Sequence, residues 1–189
     1  MRSIVFSDLD GTLINSAYEI TQKTLEAIRT LQEQEFPFVV VSARSPMGIE
    51  SVIKAYGIRC PIIALNGALI LDEQRRPIYT KGIRKSKAAV IVDFLEQDGY
   101  DTTWCVYAFD QWLGKGVSDP RIVNEASIVK TVAKAGEVRD VEGDEVHKIM
   151  CICDPKESVR LEKDLKIAFP KETVVRSSAV LIIWQMISR

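Results

Sequence analysis

The first eighty residues alternate between short apolar runs and stretches whose apolar side chains recur at helical spacing. The apolar runs are nearly continuous and lie at residues 4–6, 38–41 and 62–65. Runs of this kind are typical of strands covered on both faces. The stretches between them predict two helices, one capped by Thr21 and one opened by Ser45-Pro46 and closed by Gly57. The alternation predicts βαβ units and therefore an α/β fold with a parallel sheet.

The pattern changes after a predicted hairpin over residues 68–80. From about residue 82 the helices are longer and the strands alternate apolar and polar side chains, which predicts a second, α+β module. Its predicted helices lie at about 86–98, from Asp119-Pro120 onward, and at about 155–168. Its predicted strands lie at 102–108, 146–152, 173–176 and 180–186.

The composition is that of a globular protein, because 47% of the 189 residues are hydrophobic and can bury a core. The 25 basic and 26 acidic side chains nearly cancel, so no large basic field favours nucleic acid or an anionic membrane. The N-terminus lacks a signal-peptide pattern, and no apolar run reaches the roughly 18 residues of a membrane helix. We expect a cytoplasmic protein that binds neither nucleic acid nor a membrane.

The four cysteines are scattered along the chain, and Cys151 and Cys153 lie in an apolar, strand-like run without a second pair nearby. Buried free thiols are the expected state, in preference to zinc ligands or disulfides. The single histidine, His147, is expected to be a strand-surface or cap residue.

The chemistry is concentrated in Asp8-Leu9-Asp10-Gly11-Thr12-Leu13, which follows the first apolar run directly. Ligands of open α/β sheets bind at the carboxyl ends of the strands. One carboxylate there can attack phosphorus while the other transfers a proton, and both can bind a hard cation such as Mg²⁺. A plain turn is the simpler alternative. A calcium loop is disfavoured because Leu13 stands where that loop needs glycine.

Polar residues also follow the second and third apolar runs, at Ser42-Ala43-Arg44 and at Asn66-Gly67. Parallel strands would bring all three ends to one edge of the sheet. Ser42 can donate to a phosphate oxygen, although serine before a helix is commonly a cap. Arg44 can hold phosphate or anchor its loop, and Asn66-Gly67 is equally a common turn pair.

With the strand before it and Thr12 within it, the Asp-Leu-Asp-Gly-Thr-Leu segment resembles the first motif of the haloacid dehalogenase superfamily of phosphotransferases. Together with Ser-Ala-Arg and Asn-Gly-Ala, it resembles the sugar-phosphatase branch, whose members carry a large α/β (type 2) cap. The resemblance implies a Rossmann-like core. Residues 1–81 would be the N-terminal part of that core, residues 82–186 the inserted α+β cap, and residues 187–189 a truncated return to the core.

The same resemblance implies roles for individual residues. Asp8 would be the nucleophile and Asp10 the general acid/base. The phosphate or substrate would be bound by residues at the three strand ends: Thr12, Ser42, Arg44, Asn66 and Gly67. The resemblance further implies Mg²⁺, held by Asp8, by the backbone carbonyl of Asp10 and by an acid from a later motif.

Those later motifs are a lysine and an acidic Gly-Asp-x-x-x-Asp segment, and neither can be assigned within the 189 residues. The acidic residues Asp140, Glu142 and Asp144 are expected to be a solvated loop. The strands that follow the cap in the family would flank the first strand, so we expect that strand to lie at an edge here. We therefore expect little phosphatase activity, weak Mg²⁺ binding, and either self-association through the incomplete core or a longer parent protein.

The leading hypothesis is a magnesium-dependent phosphatase of small phosphorylated metabolites, with sugar phosphates as the substrate class. Its alternative is a catalytically silent phosphate-binding or assembly protein of the same fold. A nucleotide-binding α/β domain is a weaker third interpretation, because no Gly-x-x-x-x-Gly-Lys loop is present and Gly114-Lys115-Gly116 lacks the rest of such a motif.

Overall fold

The computed structural model describes residues 3–97, 99–170, 173–176 and 183–188. The chain divides into two compact units, Met1–Thr80 and Lys81–Arg189. In the described part no helix is both long and apolar enough to cross a membrane.

The first unit is a five-stranded sheet with the strand order β1-β2-β3-β4-β5. Its strands are β1 (Val5–Asp8), β2 (Phe38–Val41), β3 (Ile62–Ala64), β4 (Leu69–Leu71) and β5 (Pro77–Thr80). Its helices are α1 (Gln22–Glu33) and α2 (Pro46–Ile53), and a 3₁₀ turn at Lys54–Tyr56 extends α2. The first three strands are parallel, whereas β4 and β5 form an antiparallel hairpin. This α/β architecture confirms the predicted fold class.

Local sequence signals set the helix ends as predicted. The hydroxyl of Thr21 accepts a hydrogen bond from the Thr24 N–H, and that of Ser45 accepts one from the Gly48 N–H. Pro46 occupies the first turn of α2, and Gly57 closes the following 3₁₀ turn with φ +70°. Both helices therefore begin at the predicted residues, and the turn after α2 closes at the predicted glycine.

In the described sheet, β1 pairs with β2 on one side and with no strand on the other. The edge position expected for this strand is confirmed. Phe6 of this strand keeps 59% of its surface accessible, and Ile4, directly before the strand, keeps 52%. An edge of this kind presents unpaired N–H and C=O groups together with apolar side chains.

The second unit has a six-stranded sheet with the order β12-β13-β11-β7-β8-β9, and a two-stranded ribbon of β10 with β6. Its strands are β6 (Ile83–Arg84), β7 (Thr102–Ala108), β8 (Gln111–Gly114), β9 (Lys134–Ala135), β10 (Glu145–Val146), β11 (Lys148–Cys153), β12 (Thr173–Arg176) and β13 (Ile183–Ser188). Its helices are α3 (Lys85–Leu95), α4 (Pro120–Val129) and α5 (Pro155–Ala168), with a 3₁₀ turn at Val138–Asp140. The sheet is antiparallel except for the β8–β9 pair.

One hydrophobic cluster forms the core of this unit. Alternate residues of β7 and β11 contribute to it, among them Val106 and Ile149, which lie opposite each other in the sheet. Ile91 of α3 and Leu161 of α5 belong to the same cluster. Helices α3 and α5 therefore cover one face of the sheet.

Besides the two-residue strands β6 and β9, which were not predicted, the second unit differs from the sequence prediction in four places. Strand β8 was missed; its Trp112 is buried and stacks on Tyr107 at 5.3 Å between ring centroids. The predicted strand over 146–152 is interrupted at His147. That residue is fully buried rather than on the surface, and its Nδ1 accepts a hydrogen bond from the Phe109 N–H at 3.3 Å. Helix α3 ends at Leu95 instead of near residue 98.

The fourth difference concerns the expected return to the core at residues 187–189. Ile187 and Ser188 belong to β13, where they pair with Val174 and Thr173 of β12. Residues 187 and 188 therefore continue the second sheet. The four cysteines are buried free thiols, as predicted.

Candidate active site

The turn after β1 directs two acids to the open side of the sheet. Leu9 lies between Asp8 and Asp10 and is completely buried, and Leu13 and Ile14 further along the turn are also buried. Both aspartates are exposed. Because the intervening leucine occupies the core, the two carboxylates flank it on the solvent side.

Backbone hydrogen bonds close this turn tightly. The Leu13 N–H is shared by the carbonyls of Asp8 and Leu9, at 3.1 Å each, and the Ile14 N–H donates to the Leu9 carbonyl at 2.9 Å. Gly11 has φ +76°, in the left-handed region that glycine adopts without strain. Thr12 follows it and is exposed. The Asp10-Gly11 pair therefore forms a turn, and this turn leaves the side chains of Asp8 and Asp10 exposed.

The three parallel strands place the predicted site residues at one edge of the sheet. Asp8 lies opposite Val41, and the Leu9 N–H donates to the Val41 carbonyl at 3.2 Å. Ser42 comes next, and its N–H donates to the carbonyl of Ile63 at 2.9 Å. Asp8 and Ser42 thus stand on neighbouring strand ends, where a ligand of an open α/β sheet would bind.

The residues after β3 are tied to this edge by their backbone. The Asn66 N–H donates to the Ser42 carbonyl at 3.3 Å. Asn66 and Gly67 both have positive φ, +56° and +90°, so the pair forms a left-handed turn. Asn66 is exposed at the rim of the strand ends. The turn role of this pair is therefore visible, and its predicted role in substrate binding remains a proposal.

Ser42 is buried, and its hydroxyl oxygen accepts a hydrogen bond from the Arg44 N–H at 3.1 Å. The serine therefore stabilises its own loop. A hydroxyl that accepts one bond keeps its proton for donation. Loop capping and donation to a phosphate are thus compatible in the same side chain.

Arg44 contacts the second aspartate. Its Nε donates to Oδ2 of Asp10 at 3.0 Å, and its Nη2 donates to Oδ1 at 2.7 Å. The arginine side chain is 7% exposed, whereas that of Asp10 is 48% exposed. The structure therefore shows Arg44 in contact with the Asp10 carboxylate, and its predicted role in phosphate binding stays a prediction.

Asp8 differs from Asp10 in this respect. Within the described residues its carboxylate makes no hydrogen bond or ion pair, whereas its main-chain carbonyl accepts the Leu13 N–H. One carboxylate of the pair is therefore held in place and the other is open to solvent. This asymmetry suits two carboxylates that take different parts in one reaction.

The donor chemistry of the turn fits a hard divalent cation. The Asp8 carboxylate and the Asp10 main-chain carbonyl both offer oxygen, the ligand atom that Mg²⁺ prefers. The described residues contain no cluster of three or more His, Cys, Asp or Glu side chains that could hold a metal ion. The two aspartates offer oxygen ligands that suit this ion, and a magnesium site at the turn remains a proposal.

Cysteine is a poor alternative nucleophile in this protein. Burial raises the pKa of Cys60 to about 11 and that of Cys105 to about 12. Both thiols are therefore protonated at neutral pH, and the thiolate is the nucleophilic form.

The pairing of Arg44 with Asp10 was missed from the sequence, because the two residues are 34 positions apart and no local pattern connects them. A second missed contact lies nearby. The hydroxyl of Tyr56 accepts a hydrogen bond from the Ile20 N–H at 3.2 Å, which ties the segment after the turn to the end of α2.

Comparison with known proteins identifies the family. A model described as haloacid dehalogenase-like hydrolase matches residues 5–184. The chain therefore belongs to the haloacid dehalogenase-like hydrolases, and its relatives are named as phosphatases.

Two relatives and one solved structure illustrate the similarity. A Haemophilus influenzae protein named "Putative phosphatase" is 32% identical over 184 residues, which cover 95% of this chain and 67% of that protein. A glucosyl-3-phosphoglycerate/mannosyl-3-phosphoglycerate phosphatase of Persephonella marina is 30% identical over 67 residues, 35% of this chain and 25% of that protein. A haloacid dehalogenase-like hydrolase of Bacteroides thetaiotaomicron superimposes with a TM-score of 0.88 at 20% identity, covering 100% of this chain and 72% of that one.

The turn geometry leads to a stability prediction at Gly11. A Cβ atom there would meet no atom within 4 Å, so backbone strain alone opposes a substitution. We expect Gly11→Ala to lower the free energy of unfolding by about 1–2 kcal/mol. Gly11→Asn should cost less, because asparagine tolerates the left-handed region. Urea unfolding followed by far-UV circular dichroism measures both variants, and equal stability of Gly11→Ala and wild type would contradict the assigned conformation.

Proposed function

We propose that the protein is a magnesium-dependent phosphatase of small phosphorylated metabolites that works through an aspartyl-phosphate on Asp8. The observation that carries this proposal is the unequal pair after β1. Asp8 is open at the strand end beside Ser42, whereas the Asp10 carboxylate is fixed by Arg44. Family membership supports the class of reaction.

The proposed reaction has two steps. An Asp8 carboxylate oxygen attacks phosphorus, the bond to the leaving oxygen breaks, and that oxygen takes a proton from Asp10. A water molecule then attacks the same phosphorus and gives a proton to Asp10, while the bond between phosphorus and the Asp8 oxygen breaks. Inorganic phosphate leaves, Asp8 returns to a carboxylate, and Asp10 regains its proton. Asp10 therefore alternates between acid and base, so its orientation must suit both the leaving group and the water.

Neighbouring groups would bind the phosphate through both steps. The Ser42 hydroxyl and the exposed Thr12 hydroxyl can donate to its oxygens, and Asn66 and Gly67 lie at the rim where the substrate would enter. The Asp8 carboxylate and the Asp10 carbonyl would hold Mg²⁺, which neutralises charge on the transferring phosphoryl group when it is bound.

Sugar phosphates are the proposed substrate class. The support is the likeness to the sugar-phosphatase branch in the three strand-end segments, together with the Persephonella marina relative, whose name describes a phosphatase of glycosylated phosphoglycerates. That relative matches about a third of this chain. A screen of phosphorylated metabolites with the purified protein would identify the particular substrate.

A catalytically silent phosphate-binding or assembly protein is the second candidate. It is favoured by one observation, the absence of a third acidic metal ligand near Asp8 and Asp10 among the described residues. Such a protein would bind a phosphate group at the same strand ends and would not hydrolyse phosphate esters. Hydrolysis of a generic phosphate ester separates the two candidates.

The proposed roles predict different losses at the two aspartates when the protein is expressed from its whole gene. Asp8→Asn should abolish turnover, because an amide is not a nucleophile. Asp10→Asn should lower kcat by about 10²–10⁴-fold, the usual contribution of a general acid/base. Removal of Mg²⁺ with a chelator should stop turnover, and restored Mg²⁺ should recover it. Asp72→Asn, a change on the β4–β5 turn, serves as the control and should leave kcat unaffected.

These outcomes are measured by release of inorganic phosphate from a sugar phosphate panel. Full activity of Asp8→Asn, or undiminished turnover in the presence of chelator, would refute the proposed mechanism. Binding of phosphate by a wild-type protein that hydrolyses no ester would instead support the silent alternative.

We also propose that the exposed edge of β1 lets the chain associate with itself. Phe6 and the neighbouring Ile4 are exposed beside an edge whose backbone groups have no partner strand in the described sheet. Phe6→Lys should shift the mass measured by light scattering toward the monomer, because a buried lysine at a strand interface is unfavourable. Ile78→Lys, which alters an equally exposed position on β5, is the matched control. A wild-type chain that stays monomeric at high concentration would contradict this proposal.

A further inference from the structure

Arg44 and Asp10 form a two-point contact. The Nε and Nη2 groups of the guanidinium lie along one edge of that side chain, and each donates to a different oxygen of the carboxylate, at 3.0 and 2.7 Å. Paired contacts of this kind fix the direction of a carboxylate as well as its position. Lysine cannot reproduce the contact, because its ammonium group is a single point of charge.

The arginine is itself held on several sides. Its N–H donates to the Ser42 hydroxyl, and its carbonyl accepts the Leu65 N–H at 3.0 Å. Its aliphatic stem lies against the first turn of α2, where a Cβ added to Gly48 would stand 3.4 Å from the Arg44 Cβ. These contacts hold the Arg44 side chain in place, whereas the Asp10 side chain is half exposed.

We infer that Arg44 is a positioning residue, which sets the orientation of the Asp10 carboxylate and does not bind the phosphate. The inference rests on the proposed function, in which Asp10 exchanges protons with the leaving group and the water. Asp10 precedes Gly11 in a solvent-exposed turn, so its side chain would otherwise rotate among several rotamers. The buried guanidinium selects one of them, and its burial leaves little of its surface for a second anion.

This role has a distinctive kinetic signature. Loss of the contact would misplace a proton-transferring group, and an error of about 1 Å can cost about 10²-fold in rate. Arg44→Lys and Arg44→Met should therefore lower kcat by about 10²-fold and leave KM within about twofold of wild type, because substrate binding is not touched. An arginine that binds phosphate would behave differently, since its loss would raise KM.

A double-mutant cycle sharpens the distinction. In the Asp10→Asn background the proton-transfer function is already lost, so adding Arg44→Lys should lower kcat by less than about threefold. If Arg44 bound the phosphate, Arg44→Lys would lower activity by the same factor in the wild-type and Asp10→Asn backgrounds. Arg76→Met is the matched control, because Arg76 makes a similar pair with Asp72 on the exposed β4–β5 turn. Its kcat and KM should equal those of wild type.

A spectroscopic measurement tests the contact without turnover. The Arg44 Nε–H signal of ¹⁵N-labelled protein is assigned by its disappearance in Arg44→Lys. Asp10→Asn should shift it, because the charged acceptor is lost. Inorganic phosphate added to the wild-type protein, with and without Mg²⁺, should leave the chemical shift of the Arg44 Nε–H signal unchanged. Signals elsewhere in the spectrum report whether each variant keeps the wild-type fold.

The two hypotheses fail in different ways. A wild-type protein that hydrolyses no phosphate ester would remove the proposed function, and the Nε–H signal would still decide what Arg44 contacts. A phosphate-induced shift of that signal, together with a raised KM and an unchanged kcat in Arg44→Lys, would overturn the inference and make Arg44 a phosphate ligand. Additive losses in the double-mutant cycle would overturn it as well.

Discussion

The parallel pairing of β1 with β2, and of β2 with β3, determines where every candidate residue lies. The register sets Asp8 opposite Val41, so that Ser42 follows at the neighbouring strand end and the Asn66 turn comes after the next strand. Side chains alternate along a strand, so a slip of one residue would turn Asp8 toward the core and Leu9 toward solvent. Burial of Leu9 opposes such a slip. One apolar side chain therefore stabilises the arrangement in which two acids face outward.

The parts of this arrangement that depend on local sequence were predictable. Apolar runs marked the three parallel strands, and Thr21, Ser45-Pro46 and Gly57 marked helix ends, because caps and turns are set by a few neighbouring residues. The position of the two acids followed from the strand before them. Membership of the haloacid dehalogenase-like hydrolases agrees with these features over residues 5–184. The superposition on the Bacteroides thetaiotaomicron structure, at 20% identity, shows the same fold.

The contacts that depend on distant residues were not predictable in the same way. Nothing around Arg44 signals that its partner is Asp10, and an arginine after a strand is equally suited to a phosphate. Strand β8 is four residues long, and it is defined by the stacking of Trp112 on Tyr107 and by pairing with β7. His147 looked like a surface residue because it precedes a lysine, yet the fold buries both. In each case tertiary packing decided the outcome.

The proposed mechanism depends most directly on Asp8 as the group that receives phosphate. The measurement is to mix the protein with substrate and Mg²⁺, quench it in acid, reduce the acyl phosphate with borohydride and sequence the tryptic peptide of residues 3–23 by mass spectrometry. That peptide contains both Asp8 and Asp10, so fragmentation distinguishes them within one molecule. We expect reduction at Asp8 in the wild-type protein and an unmodified peptide from Asp8→Asn. Modification at Asp10 or at another residue, or turnover with no modified residue at all, would contradict it.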